Sequence, residues 1–192
     1  NYHMYKEFNR IYHFIEEFKE NELINLDSKI SIIYRNYKKK LDISLIKKIK
    51  FFCRNSKRKF YLANEFKLAL HLNLDGVYIP SFNKSFYSNN FSKRKNFQII
   101  GSAHNIHEIK IKERQKVENI FVSPLFEIDK KKKYLGIYRF ISLKKITEKK
   151  LIALGGINKF NIKKLKLITS YGFASISFIK MINNKNEYKR SN

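Results

Sequence analysis

The stretch LIALGGINKFNIKKLKLITSYGFASISFI, residues 151–179, decides the fold of this chain. It contains two short apolar runs (151–154 and 173–177) separated by Ile162, Leu165 and Ile168, which recur at helical spacing. Parallel strands need a long crossover connection, usually a helix, so the pattern predicts a strand–helix–strand unit.

The same alternation continues toward the N-terminus. Six further β-rich runs precede this unit, with helical or loop intervals between them. They occupy 11–15, 30–34, 60–63, 76–79, 97–101 and 119–122. Eight strands in this order favour an α/β fold of the (β/α)8 TIM-barrel type over an open sheet. At 192 residues the barrel is small, and we expect a single domain over 1–192 with a loop at 81–95 and loose termini at 1–9 and 184–192.

The composition is that of a folded domain with a large excess of positive charge. The chain is 43% hydrophobic and 15% aromatic, which excludes a disordered chain. Lys and Arg number 41 and Asp and Glu 16, a net charge of +25 that alone suggests an anionic partner. The wealth of Lys, Asn and Ile beside 6 Gly, 2 Pro and no Trp indicates instead a compositional bias. We therefore expect nucleic acid to be an unlikely partner, since aromatic–basic motifs typical of RNA binding are also missing.

Cysteine content and hydropathy limit the cellular setting. Cys53 is the single cysteine, so neither an intrachain disulfide nor a cysteine-based zinc site is expected. The longest uncharged apolar stretch, 167–179, is shorter than the roughly 18–20 residues of a membrane span. With no signal segment in view, a cytoplasmic protein without membrane contact is predicted.

Candidate site residues follow the predicted strands, because the loops after the carboxyl ends of barrel strands form the active site. Gly155 and Gly156 follow strand seven, where backbone N–H groups can approach a phosphate. Ile179 and Lys180, after strand eight, are the expected second half of that phosphate site. A purely structural turn is the alternative explanation of the glycine pair.

Three further loops carry polar side chains. His104, after strand five, suits a general acid or base, although it also suits the start of a helix. His107 lies three residues on, yet no Cys, Asp or third His lies nearby in the sequence to complete a metal site. Lys131, in the lysine run 130–133, is either a phosphate neutraliser or part of a solvated loop. Arg35, after strand two, is an anion clamp or ordinary surface charge.

Five segments occur in the order and spacing of a known family. They are FYLANEFKLALHLNLDGVYIPS (60–81), FQIIGSAHNIHEIK (97–110), NIFVSPLFEIDKKK (119–132), LIALGGIN (151–158) and YGFASISFIKMI (171–182). Together they resemble the thiamine phosphate synthase / TenI family of (β/α)8 barrels. The resemblance implies a cytoplasmic enzyme of thiamine synthesis that binds a small phosphorylated substrate, a thiazole phosphate.

The resemblance also assigns roles to individual residues. It places the acid/base of the tautomerase branch on His104 and the catalytic-loop lysine on Lys131. It places substrate and phosphate binding on Arg35, Ser102, Gly155, Gly156, Ile179 and Lys180. Possible homodimer formation is left open.

Two departures from the family pattern decide between its branches. The positions at which synthases carry metal-binding Asp residues are Asn64 and Asn83 here. Mg²⁺ prefers charged oxygen ligands, so we predict no metal and no cofactor, with Mg²⁺ only for a synthase. A tautomerase-like isomerase is the favoured function. The alternatives are a divergent synthase, coupling hydroxymethylpyrimidine pyrophosphate to thiazole phosphate with lysines replacing metal charge, and a non-catalytic basic barrel that binds polyanions.

Overall fold

Eight parallel strands form a closed barrel in sequence order, as predicted. The structure is a computed structural model that describes residues 7–38, 40–130 and 133–181. The strands are β1 (Arg10–Ile15), β2 (Ile30–Tyr34), β3 (Phe60–Ala63), β4 (Gly76–Ile79), β5 (Gln98–Ala103), β6 (Asn119–Val122), β7 (Lys150–Leu154) and β8 (Gly172–Ser175). β8 pairs with β1 and closes the barrel, so all eight carboxyl ends open on one face.

In the described ranges, six helices connect the strands. They are α1 (Glu20–Ile24), α2 (Ile43–Asn55), α3 (Phe66–His71), α4 (Ile106–Arg114), α5 (Gly136–Lys145) and α6 (Lys164–Leu167). Between β4 and β5 there is only a 3-10 turn, Tyr87–Asn90, within the loop predicted for 81–95. None of the helices in the described ranges is long and apolar enough to span a membrane.

Several predicted boundaries lie outside the described residues or differ from the structure. Lys131, residues 1–6 and the predicted loose terminus 184–192 are not among the described residues. Phe8 lies in the other terminus predicted to be loose, and its ring packs on Phe173 with 5.3 Å between centroids. β5 continues past the predicted 97–101, because Ser102 and Ala103 pair with residues of β6. β8 ends earlier than predicted, and a helix begins at residue 177.

Aromatic rings fill the barrel interior. Tyr12 and Phe121 contact each other edge to face with 4.9 Å between centroids, and Phe14 and Tyr78 do so at 5.1 Å. Aliphatic and small residues of the other strands complete this inner cluster, among them Ile152. The barrel is therefore a packed core, and a ligand has access only to the loops at its ends.

Candidate active site

His104 lies directly after β5, and its imidazole contacts segments that follow two other strands. Nδ1 lies 2.6 Å from the backbone oxygen of Ser123, after β6, and Nε2 lies 3.1 Å from the hydroxyl of Ser81, after β4. A carbonyl oxygen can only accept, so Nδ1 carries a proton and donates it to Ser123. In the neutral ring Nε2 is then the unprotonated nitrogen. It accepts from the Ser81 hydroxyl and can act as a base.

The start of α4 fixes the backbone at His104. Asn105 caps the helix, since its Oδ1 accepts the backbone N–H of Glu108 at 2.9 Å. Glu108 Oε2 in turn accepts the backbone N–H of His104 at 2.8 Å. Asn105 thereby satisfies an N–H group of the first helical turn, and Glu108 holds the backbone of the residue before the cap. Asn105, and not His104, therefore caps α4. The His104 imidazole lies among the loops that follow β4, β5 and β6.

Ser102 lies within β5 and joins a polar contact at the top of the barrel interior. The buried Tyr78 hydroxyl donates to Ser102 Oγ at 2.8 Å. Burial raises the pKa of Tyr78, although Ser102 and Arg35 oppose this rise. Arg35 stacks over the Phe14 ring at 4.9 Å and lies 3.4 Å from Glu16. The predicted residues Arg35 and Ser102 are therefore linked through a neutral Tyr78.

Asn64 and Asn83, which the family resemblance places at the positions of metal-binding Asp residues, contact each other directly. Asn64 follows β3 with a left-handed backbone, at φ +63°. Asn83 Nδ2 donates to Asn64 Oδ1 at 2.6 Å, while Asn83 Oδ1 accepts the backbone N–H of Ser85 at 2.9 Å. A backbone N–H can only donate, so Ser85 fixes which end of the Asn83 amide faces Asn64. That end is the NH₂ group.

This donor set does not fit Mg²⁺. The group that Asn83 directs toward Asn64 is a hydrogen-bond donor, and neither residue carries the charge that a small hard cation requires. Among the described residues, no group of three or more His, Cys, Asp or Glu is arranged to hold a metal ion. The Asn64 oxygen and the Asn83 NH₂ group are thus engaged with each other.

Gly155 and Gly156 follow β7 with left-handed backbones, at φ +87° and +70°. The loop after β6 packs on them: a Cβ at Gly156 would lie 2.4 Å from the backbone oxygen of Phe126. The Asn161 side chain donates to Gly156 O at 2.7 Å and fixes the turn. Within the described chain, neither glycine N–H has a backbone acceptor. Both structural and anion-binding roles are thus compatible with the pair.

The end of β8 differs from the arrangement expected for the phosphate site. Ser175 Oγ accepts the backbone N–H of Phe178 at 3.2 Å, which starts the helix at residue 177. The backbone N–H of Lys180 donates to Ile176 O at 3.3 Å, and Ile179 is fully buried. The helix thus engages the Lys180 N–H, and only Ile176 lies between the end of β8 and the first helical residue, Ser177.

A cavity of about 450 Å³ lies at the barrel mouth, between the loops after β1 and β2 and the segment after β8. Its charged lining residues are Glu16, Glu17, Lys19, Glu22, Lys38 and Lys180. Lys180 Nζ lies 3.2 Å from Glu22 of α1, so its side chain crosses from one wall to the other. The volume lies in the range of small-molecule sites.

Several residues at this face received no individual role from the sequence. Ser81, Tyr78 and Ser123 hold the predicted His104 and Ser102 in place. Tyr37 and Phe82 form an exposed ring pair, with 5.4 Å between centroids, on the loops after β2 and β4. Each lies within three residues of a strand end, except that Tyr78 lies inside its strand. Their position at the strand ends is the sequence feature that could have identified them.

Comparisons with known proteins identify a family and similar folds. The family model TMP-TENI, thiamine monophosphate synthase, matches residues 19–182. No curated protein matches the chain.

Solved structures resemble the chain at low sequence identity. Thiamine phosphate pyrophosphorylase from Pyrococcus furiosus matches with a TM-score of 0.70 and 16% identity, over 91% of this chain and 91% of that chain. The protein of that name from Bacteroides thetaiotaomicron gives 0.59 and 18%, over 87% and 82%. The 3-hexulose-6-phosphate synthase of Salmonella typhimurium gives 0.66 and 13%, over 92% and 99%. At these identities the likeness shows the fold alone.

Proposed function

Because the chain belongs to the TMP-TENI family of thiamine monophosphate synthases, we propose that it is an enzyme that binds a phosphorylated thiazole and moves a proton on the thiazole ring. The observation that carries this proposal is the fixed tautomer of His104. Its Nδ1 proton is held by the Ser123 carbonyl, which leaves Nε2 as the basic nitrogen beside the Ser81 hydroxyl. A positioned imidazole of this kind accelerates proton transfer by about 10²- to 10⁴-fold.

The substrate phosphate is proposed to bind at the end of β7. The N–H groups of Gly155 and Gly156 are available to an anion, as described above. The strand-end residues Ile176 and Ser177 are exposed and are proposed as the second half of the phosphate site, in place of Ile179 and Lys180. The Arg35 guanidinium, which stacks on the Phe14 ring, would supply positive charge to the substrate phosphate from the same end of the barrel.

The synthase alternative needs a different source of charge. Coupling to a pyrimidine pyrophosphate requires stabilisation of the departing pyrophosphate, for which Mg²⁺ is the usual device. The Asn64–Asn83 amide pair supports the isomerase over this alternative. Lys131, in the segment outside the described residues, is the predicted residue that would have to replace the metal charge.

One set of assays separates these functions. Isomerisation of a non-aromatic thiazole phosphate tautomer is followed by ultraviolet absorbance and by uptake of solvent deuterium. Coupling with the pyrimidine pyrophosphate is measured in Mg²⁺ and in EDTA. We expect isomerisation that falls at least about 100-fold in His104→Ala. The matched control is His107→Ala, because His107 is an exposed histidine of the same segment.

Three results would contradict the proposal. Robust Mg²⁺-dependent coupling by the wild type identifies a synthase. Coupling that persists in EDTA and is lost in Lys131→Ala identifies the lysine-assisted synthase. Equal calorimetric affinity for the thiazole phosphate and its unphosphorylated alcohol excludes the proposed phosphate site.

Polyanion binding is a second candidate function, supported by a cavity at the other end of the barrel. This cavity, of about 670 Å³, lies at the amino ends of β3 and β4. The cationic residues that line it are Lys50, Arg54, Lys57, Arg58, Lys59 and Arg94, beside the single carboxylate of Asp75. We call it the lower basic cavity. Such a concentration of cations favours phosphate-rich ligands.

A further inference from the structure

Lys112 of α4 is a fully buried lysine with three neutral acceptors. Its side chain is 0% exposed, and its Nζ donates to the backbone oxygens of Pro80 and Asn83, both at 2.8 Å. The third proton goes to Gln115 Oε1 at 2.9 Å. None of these acceptors is a carboxylate, so the ammonium is buried without a directly paired negative charge. Burial lowers the pKa of Lys112 to about 8, which leaves it mostly protonated at neutral pH.

Gln115 extends the same contact. Its side chain is 0% exposed, and Nε2 donates to Asn83 O at 3.0 Å and to Ser85 O at 2.7 Å. Lys112 and Gln115 thus hold three backbone carbonyls of residues 80–85, which we call the β4 loop. The end of α4 anchors this loop through four hydrogen bonds, and a fifth joins Lys112 to Gln115.

The anchored segment is the one that carries two site contacts. Ser81 faces His104 Nε2, and Asn83 donates to Asn64. The loop contains neither helix nor strand, and within it Asn83 N–H donates to Pro80 O at 3.1 Å and Ser85 N–H donates to Asn83 Oδ1 at 2.9 Å. These short-range bonds shape the turn, whereas the bonds from Lys112 and Gln115 attach the loop to α4. An apolar side chain at position 112 would avoid the cost of burying an ammonium, which amounts to several kcal/mol for an unpaired ion. A buried charge in this place indicates a role in fixing the loop.

We propose that Lys112 and Gln115 are positioning residues that set the β4 loop, so that the Ser81 hydroxyl meets His104 and Asn83 meets Asn64. The proposal rests on the proposed function only where it names His104 as the group that moves the proton. Neither residue touches substrate, because their polar atoms are engaged inside the protein. Their effect reaches the chemistry through Ser81.

The test uses two variants and a matched control in the full chain. Lys112→Met removes the charge at similar length. Gln115→Glu keeps an acceptor for Lys112 but turns an oxygen toward the carbonyls of Asn83 and Ser85. Lys110→Met is the control, because Lys110 lies on the exposed face of the same helix. Ser81→Ala provides the reference for loss of the His104 contact.

The first measurement is the nitrogen and carbon chemical shifts of His104 in histidine-labelled protein. We expect both variants to move the Nε2 signal in the direction of Ser81→Ala, and Lys110→Met to leave it in place. The second is steady-state isomerisation, in which kcat falls about 10- to 100-fold while KM changes little, since the phosphate site lies on other loops.

Every outcome of these measurements supports or overturns the positioning role. Unchanged His104 signals in a folded Gln115→Glu protein overturn the proposal, even if Lys112→Met does not fold. Failure of both variants to fold also overturns it, because the two residues would then serve stability. Shifted His104 signals in a chain without isomerase activity support the positioning role and contradict the proposed function.

Discussion

Gly156 and Gly136 share a left-handed backbone but differ in their surroundings. Their φ angles are +70° and +74°. A Cβ at Gly156 would lie 2.4 Å from a backbone oxygen, whereas at Gly136 the nearest atom is a Tyr134 side-chain carbon at 4.0 Å. The first glycine is required by space and by conformation, and the second by conformation alone.

We therefore predict different costs for alanine at these two positions. Gly136→Ala should lower the free energy of unfolding by about 1–2 kcal/mol, the cost of an L-residue in this conformation. Gly156→Ala should lower it by about 3 kcal/mol or more, because overpacking against the Phe126 carbonyl is added. Urea unfolding of both variants measures the difference. Equal losses in the free energy of unfolding would mean that the loop after β6 moves away from the added methyl group at no energetic cost.

For individual residues, the sequence indicates which side chains are present at the strand ends but not which residues they contact. Asn64 and Asn83 could be recognised as positions without carboxylates, yet their hydrogen bond joins residues 19 apart and depends on the path of the β4 loop. The Lys112 contacts were hidden for the same reason. A lysine in a lysine-rich helix gives no sign that it is buried, since only the fold brings the loop over it.

The first residues of α4 form hydrogen bonds that both cap the helix and hold the backbone of His104. Asn105 accepts the N–H of Glu108, and Glu108 accepts that of His104. Asp42 caps α2 in a similar way by accepting the N–H of Leu45 at 3.1 Å, at a place without contact to His104. The two caps allow stability and function to be separated.

We predict that Asn105→Ala and Asp42→Ala each lower the free energy of unfolding by about 1 kcal/mol, the usual cost of removing an N-cap. Only Asn105→Ala should also reduce isomerisation, because it loosens the backbone at His104. Denaturant titration and the ultraviolet assay, run on both variants, check this. Reduced isomerisation in Asp42→Ala would show that lower stability alone explains the effect.

Among the elements, the strands were predicted better than their ends. Short β-rich runs marked all eight, because a strand buried on both faces needs continuous apolar residues. The end of β8 was missed since Ser175 caps the following helix through its side chain, a local hydrogen bond that apolar periodicity does not encode. Helices as short as α1 and α6 likewise depend on packing more than on propensity.

For the whole molecule, the net charge of +25 is the property that most needs a test. If the charge is compositional, cations on any face contribute alike to binding of RNA. We predict that replacing Lys50, Arg54 and Lys57 of the lower basic cavity by Glu weakens binding of single-stranded RNA no more than replacing Lys145, Lys159 and Lys163 does. Salt-dependent titrations measure both, because the salt slope falls by about 0.7 for each phosphate that the protein no longer neutralises. A selective loss of affinity in the cavity variant would support the polyanion function.

The pairing of β8 with β1 has a consequence for the newly made chain. His13 Nδ1 and the Ser175 backbone oxygen that it contacts are 162 residues apart. Ribosomes add about 5–20 residues per second, so the apolar edge of β1 waits roughly 8 to 30 s for its partner. During that time it can pair with another nascent chain, as exposed strand edges do. Closure of the barrel follows synthesis of its last strand, and we expect yield in the cell to depend on how well that edge is shielded until then.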